Sequence, residues 1–297
     1  MRYNEASKII RMKLVPGKQL SEIILNSVTK QIKASGVKPK LSIIQIGFRE
    51  PSNVYVQKKS LASQKVGIQV ELFKLNEGDV NKIQHKINEL NNDPAVNGII
   101  VQLPTPGTEI ISILDTISPS KDVDGLTSHK LGKSWYDSKF KDLGATPSAI
   151  LYSLEYIAKA SGNSFKKFIA GKNILIINHN ILIGKPLAGA LLNMNATITV
   201  AHSFTTNLTE HLKYSDIIVT ATGKKIITAE NAKYLKPGVV LIDSGFSRVN
   251  GKSNGDVDFD AVASIASWLT PVPGGIGPLG VAMLMKNTLN AYISQNQ

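Results

Sequence analysis

Three short stretches of this chain hold residue types able to move protons on a flat nitrogenous ring, or to grip one. The first is Ser52, Tyr55 and Lys59. On an α-helix these fall within about 60° of one another on one face, while Lys58 points about 100° away from Lys59. The aromatic ring suits stacking on a planar substrate, and the amine suits proton transfer. A Lys taken partly out of water loses basicity and can then serve as acid or base. By itself, a helical Lys in a chain of thirty lysines reads as a solvated surface residue. The second stretch is Gly98-Ile99-Ile100-Val101-Gln102-Leu103-Pro104-Thr105-Pro106, in which Gln102 closes a buried run where strand ends face the crevice of an α/β sheet. Its amide suits holding a Lys amine, and equally suits a backbone partner. The third is Pro119-Ser120-Lys121-Asp122-Val123-Asp124-Gly125-Leu126, two carboxylates about a Val in a tight Gly turn. A carboxylate accepts the paired N–H donors of a pterin-like ring. Asp-x-Asp-Gly also opens calcium loops, but the rest of such a loop and its closing Glu are absent, so no metal is expected.

These stretches lie on an alternation of strand and helix patterns. Leu20, Ile23, Ile24, Val28 and Ile32 mark a helix over 17–35, and 40–47 reads as a buried strand. Pro51 opens a helix to about Val66, as Pro does at a first helical position. Strands follow at 69–75 and 98–103, with a helix marked by Val80, Ile83, Ile87 and Leu90 between them and a further helix at 108–117. The polar, aperiodic stretch 118–145 reads as a functional loop. Helices are expected from 146 to 161, 184 to 193 and 279 to 294, and strands at 173–177, 196–201, 216–220 and 239–242. This predicts an α/β fold of two domains: an N-terminal α/β domain over 1–148, joined by a C-terminal helix at 279–297, and a Rossmann-type parallel-sheet domain over 149–278, with a cleft between them.

The composition is consistent with an ordinary two-domain enzyme. The 297 residues are 42% hydrophobic, enough for buried cores, and no apolar run reaches the roughly 18–20 residues of a membrane helix. There is no cysteine, which excludes disulfides, thiolate metal sites and a Cys nucleophile. Together with the Lys- and Arg-broken N-terminus, this predicts a cytoplasmic protein without a secretory signal. The net charge is +12, but only Arg2, Arg11, Arg49 and Arg248 are arginines, and the thirty lysines are dispersed. That pattern reads as a solvated surface with a mild attraction for acidic substrates, and neither nucleic acid nor membrane is expected as a partner.

Taken in order, the three stretches resemble the folate site of the methylenetetrahydrofolate dehydrogenase/cyclohydrolases. The resemblance continues through Gly184-x-Pro186, Asn195-Ala196-Thr197, His202-Ser203-x-Thr205, Gly255-Asp256-Val257-Asp258-Phe259 and Thr270-Pro271-Val272-Pro273-Gly274-Gly275-Ile276-Gly277-Pro278. It implies an enzyme of one-carbon metabolism, supplying purine biosynthesis, that oxidises 5,10-methylenetetrahydrofolate with NADP, or with NAD. The methenyl product is then hydrolysed to 10-formyltetrahydrofolate. It implies Lys59 as the acid/base, Gln102 orienting it, Tyr55 stacking on the folate and Asp124 anchoring the pterin, with Ser52, Pro273, Gly274 and Gly275 also at the substrate. It places the cofactor at Asn178, His179, Asn180, Gly184, Lys185, Ser203 and Phe246, and implies a homodimer.

The chain departs from that pattern in the cofactor loop. Asn178, His179 and Asn180 stand where Gly-Arg-Ser is frequent. Asn is the best non-Gly residue for a left-handed backbone, and a His pairs with a 2′-phosphate only when protonated. Ala145, Ala149, Phe246 and Gly280 are smaller departures. Two rival readings follow: a cyclohydrolase with weak or lost dehydrogenase activity, and a non-catalytic Lys-rich binder of anions or nucleic acid. Gly275-x-Gly277-x-x-Gly280 matches a dinucleotide-loop pattern, but follows no strand and contains Pro278, so it is not read as one.

Overall fold

In the computed structural model the described residues are 11–47, 50–105, 110–249 and 251–297; the side chains of Glu50, Pro51, Ser52 and Val249 lie outside the description. The chain forms two compact units. Among the described residues, one comprises those within 18–149, 181–190 and 278–297; the other comprises 11–17, 150–180 and those within 191–277.

The first unit is built on a three-stranded parallel sheet. Its central strand, Lys40–Ile46, pairs with Gln69–Leu75 on one side and Gly98–Gln102 on the other. Ile44, Ile46, Ile99 and Val101 face one way and pack with Ile83, Ile87 and Leu90 of the helix Val80–Asn92. The alternate residues, among them Gln45 and Gln102, therefore share the opposite face. Helix Glu50–Val66 leaves the end of the central strand. An isolated parallel bridge between Ile99 and Asp122 carries the sheet edge on into the segment that bears Asp124. From Pro278 onward, helix Ile276–Gln295 belongs to this unit. There, Ser63 Oγ donates to Met285 Sδ at 3.0 Å, and Asn287 Nδ2 donates to the carbonyls of Val123 and Leu143 at 3.0 and 3.1 Å.

The second unit holds a six-stranded sheet, every pair parallel. Its order is Lys13–Leu14, Trp268–Leu269, Val240–Asp243, Ile217–Thr220, Asn173–Ile177, Thr197–Ala201. Asn173–Ile177 lies between the two strands that follow it in sequence, so the connections depart in opposite directions beyond its end. That is the topological switch point at which open α/β sheets bind ligands. A core of Leu175, Ile177, Ile218, Leu241 and Leu269 packs with Leu212, Leu235 and Val262. A small antiparallel hairpin pairs Ser247–Val249 with Lys252–Asn254.

Three features differ from the sequence-based expectation. Residues 11–17 sit with the six-stranded unit instead of the N-terminal one, because Lys13–Leu14 adds a strand beside Trp268–Leu269 and Val15 N–H bonds the Leu269 carbonyl at 3.0 Å. Residues 181–190 sit with the three-stranded unit, where Ile181 and Leu182 pack on its core. The stretch 118–145 is not a continuous loop: Ser128–Tyr136 is helical, capped by Thr127 Oγ1 accepting from Lys130 N–H. The start of the helix expected at Thr108 lies outside the described residues, and the helix is seen over Ile110–Leu114. No helix among the described residues is long and apolar enough to cross a membrane.

Asp122 is 1% exposed and its carboxylate accepts the N–H groups of Gly125, Leu126 and Thr127 at 2.8, 3.2 and 2.8 Å. Asp122→Ala leaves three buried donors without an acceptor. It is expected to lower unfolding free energy by about 2–4 kcal/mol, measured by urea denaturation. A loss below about 0.5 kcal/mol would contradict this role.

Candidate active site

Tyr55 and Lys59 lie one turn apart on helix Glu50–Val66, and both are half-buried. Burial raises the Tyr55 hydroxyl above its ordinary range, and Lys58 Nζ lies 5.9 Å from the Tyr55 ring centroid. Ser52 belongs to the same helix, but its side chain lies outside the described residues.

Asp124 is positioned by a tight crossing of two backbone segments, and its charge acts on Lys59. Gly125 has φ +69°, a value that favours glycine, and a Cβ on Gly144 would come within 2.2 Å of the Asp124 carbonyl. With no side chain at either position, the start of helix Ala145–Ala160 closes on the turn, where the Ala145 N–H favours the charged Asp124 carboxylate. Burial pushes Lys59 below the ordinary Lys range, opposed by the Asp124 charge. Burial pushes Asp124 above the ordinary carboxylate range; Lys59 and the Ala145 N–H oppose that shift, and Asp122 adds to it. Burial thus weakens the charged form of each group, and the charge of the other opposes that weakening.

Gln102 ends the strand Gly98–Gln102 and is 7% exposed. Its Nε2 donates to the Leu103 carbonyl at 2.6 Å, while its Oε1 is buried without a donor among the described residues. Lys121, next to the carboxylate pair, is not part of this cluster; its Nζ bonds the carbonyls of Leu90 and Asp93.

Of the residues expected at the cofactor, Asn178, His179, Asn180, Ser203 and Phe246 fall in the six-stranded unit, at the ends of its strands. Gly184 and Lys185 open the nine-residue helix Gly184–Leu192 and fall in the other unit. Pro273, Gly274 and Gly275 form a turn of the six-stranded unit, whereas Tyr55, Lys59, Gln102 and Asp124 all fall in the three-stranded one. Asn178 does not take the left-handed backbone that its glycine-like position suggested; among described residues only Asn195 and Asn207 do so without being Gly. It works through its side chain instead. Nδ2 donates to the Ala221 carbonyl at 2.6 Å, tying together the strand ends on either side of the switch point, and Oδ1 accepts from Asn180 N–H at 2.9 Å. His179 packs against His202, ring centroids 5.0 Å apart, at the ends of adjacent strands, and both are exposed with Ser203. Phe246 is 39% exposed, and its carbonyl lies 3.2 Å from where a Cβ on Gly223 would sit.

The sequence reading missed an anchoring network on that edge. Asp243 accepts from Gly245, Asp256 and Val257 N–H, and Thr222 donates both its N–H and its hydroxyl to Asp256. The Gly255-Asp256-Val257 string was visible, but its partners lie 13 to 34 residues away in sequence. Gln45, a buried amide in an apolar strand, likewise carries no local signal in the sequence.

This geometry has close counterparts among known proteins. Residues 15–124 match the catalytic domain of the tetrahydrofolate dehydrogenase/cyclohydrolases, and residues 145–296 match their NAD(P)-binding domain. The bifunctional protein FolD of Lactobacillus acidophilus is 38% identical over 289 residues, 96% of this chain and 98% of that protein. The crystal structure of bifunctional FolD from Campylobacter jejuni superposes with a TM-score of 0.86 at 34% identity, covering 95% of this chain and 99% of that one. The FolD of Trypanosoma brucei, solved with NADP and an inhibitor, gives 0.86 at 30% identity, covering 97% and 99%. The chain belongs to the tetrahydrofolate dehydrogenase/cyclohydrolase family.

The electrostatics of the cluster can be tested without turnover. The Lys59 amine is expected to acylate at a lower pH than the surface lysines, because its ammonium is desolvated. Asp124→Asn removes the charge that opposes this, so the labelling midpoint moves lower still. Mass-spectrometric acetylation profiles across pH would read both, and an unmoved midpoint would break the assigned coupling.

Proposed function

We propose that the protein oxidises 5,10-methylenetetrahydrofolate with NADP and hydrolyses the resulting methenyl compound to 10-formyltetrahydrofolate, with Lys59 as the acid/base of the second step. The observation that carries this reading is the Lys59–Asp124 pair: an amine with lowered basicity beside a carboxyl with raised pKa, within a unit matching the family's catalytic domain.

In the hydrolysis, water adds to the methenyl carbon, the bond from that carbon to N5 breaks, and one proton is released overall. A weakly basic amine at Lys59 takes the proton of the attacking water and returns one to the departing nitrogen. Gln102 orients the amine. Asp124 accepts from the ring N–H groups, Tyr55 stacks on the ring, and Ser52, Pro273, Gly274 and Gly275 complete the substrate contacts. NADP supplies the hydride acceptor of the first step; the protein's part there is to fix geometry and potential.

The donor set at the six-stranded edge fits a phosphorylated dinucleotide. Asn178, His179, Asn180 and Ser203 offer amide, imidazole and hydroxyl donors at a switch point, and no Asp or Glu follows the strand Thr197–Ala201 through Asn207 to take a free ribose 2′-hydroxyl. Gly184 and Lys185 add helix-start N–H groups and a positive charge for the pyrophosphate. The His at 179 favours the second reading, in which dehydrogenase activity is reduced relative to hydrolysis. We further propose a cytoplasmic homodimer, with neither nucleic acid nor membrane as a partner.

Lys59→Ala is expected to lower the cyclohydrolase rate by roughly 10²–10⁴-fold, followed as loss of methenyl absorbance; retention of most of the rate would refute the assignment. His179→Arg restores a permanent charge and is expected to tighten NADP binding by about tenfold with NAD unchanged. Fluorescence titration of both nucleotides decides it, since equal changes would remove His179 from the 2′-phosphate.

A further inference from the structure

Gln45 occupies the end of the central strand of the three-stranded sheet and is 1% exposed. A buried polar residue within the run Leu41–Ile46 has to be explained, because burying an amide without partners is unfavourable. One partner is clear: Gln45 Nε2 donates to Asn53 Oδ1 at 2.7 Å. Asn53 lies in the first turn of helix Glu50–Val66, six residues and ~9 Å of helix before Lys59. The bond therefore pins the start of the helix carrying Tyr55 and Lys59 to the sheet.

The second relation is one of register. Gln45 pairs directly with Gln102 across the parallel ladder. Paired residues in parallel strands project from the same face with backbones about 4.8 Å apart. The two glutamine side chains thus stand beside each other on the face opposite the Ile83–Ile87–Leu90 core. Both Oε1 atoms are buried, and neither has a donor among the described residues. Two neighbouring carbonyl dipoles with unused lone pairs make a locally negative spot, suited to a cationic or N–H donor. A sheet built only for stability would place apolar residues at these adjacent positions.

We propose that Gln45 is a positioning residue for the hydrolytic centre, acting through Gln102 and through the helix that carries Lys59. It fixes where the Gln102 amide lies, fixes the start of the helix, and adds a second carbonyl dipole that favours the Lys59 ammonium. The charged groups already acting at that centre are Asp124 on Lys59, Asp122 on Asp124, and Lys58 over the Tyr55 ring. Gln45 supplements these with no charge of its own. The inference rests on Lys59 being the acid/base.

The test is the pH profile of methenyl hydrolysis for wild type, Gln45→Leu, Gln45→Glu and Lys59→Ala, with thermal unfolding recorded for each. Removing the dipole disfavours the ammonium, so Gln45→Leu moves the Lys59 limb to lower pH. A carboxylate favours the ammonium, so Gln45→Glu moves it to higher pH, Asn53 turning its amide to donate. A merely structural role lowers the rate or the melting temperature without displacing the limb in opposite directions. Opposite displacements establish the proposal, and an unmoved limb in both variants overturns it. If Gln45→Leu does not fold, the direction of the Gln45→Glu limb decides alone. If Lys59→Ala keeps the wild-type limb, the acid/base assignment falls and this inference with it; if Lys59→Ala loses the limb while the Gln45 variants keep theirs, only this inference falls.

Discussion

The rest of the three-stranded unit serves one electrostatic constraint: an amine and a carboxyl, both half-buried, are set where each loses part of its contact with water. Burial opposes the charged form of both Lys59 and Asp124, and the charge of each partner opposes that effect. Such a pair is costly compared with an apolar one, and removing one member strands the other. A surface ion pair, such as that between Lys65 and Glu22, carries no such tension. The desolvated pair is therefore a chemical device, and the fold around it can be understood as what keeps it in place.

Two structural means achieve this. The Asp122 carboxylate organises the turn by collecting three N–H groups, which leaves Asp124 free of that duty. Two adjacent acids with one Val between them thus divide into an anchor and a reactive group through environment alone. The second means is steric. Gly125 and Gly144 allow the backbone segments to touch, which sets the Ala145 N–H where it favours the Asp124 carboxylate. Asn287 ties both segments to the C-terminal helix through the carbonyls of Val123 and Leu143. Side-chain-to-backbone bonds from separate parts of the chain thus hold the turn in place.

What could be read from the sequence follows from how local each signal is. The 3.6-residue spacing that puts Tyr55 and Lys59 on one helical face is a local property, as is the apolar run that makes Gly98–Gln102 a buried strand ending in an amide. The parallel sheets followed from strand–helix alternation. The two-residue strands Lys13–Leu14 and Trp268–Leu269 could not be read, because two residues carry no period; their pairing 255 positions apart moved residues 11–17 into the other unit. Helix Ser128–Tyr136 escaped because Leu131 and Trp135 are nearly its only apolar markers. Asn178 was misjudged for a different reason. Backbone need was inferred from residue type, whereas the side chain bonds Ala221, a contact that only the folded sheet creates.

Gln45 illustrates the same limit at the site itself. In sequence it is one amide in an apolar run, and it becomes informative only when ladder register sets it beside Gln102 and the following helix brings Asn53 to it. A parallel sheet converts residues 57 positions apart into neighbours at a spacing fixed by backbone geometry and independent of side-chain type. Polar residues at the carboxyl ends of such strands converge on one edge for the same reason, whatever chemistry they perform. The three-stranded and six-stranded parallel sheets use that property with different side chains. One edge gathers amides beside a Lys–Asp pair; the other gathers imidazoles, amides and a hydroxyl about a switch point. The first arrangement favours proton movement and the second favours holding an anion, so one backbone rule yields two chemistries.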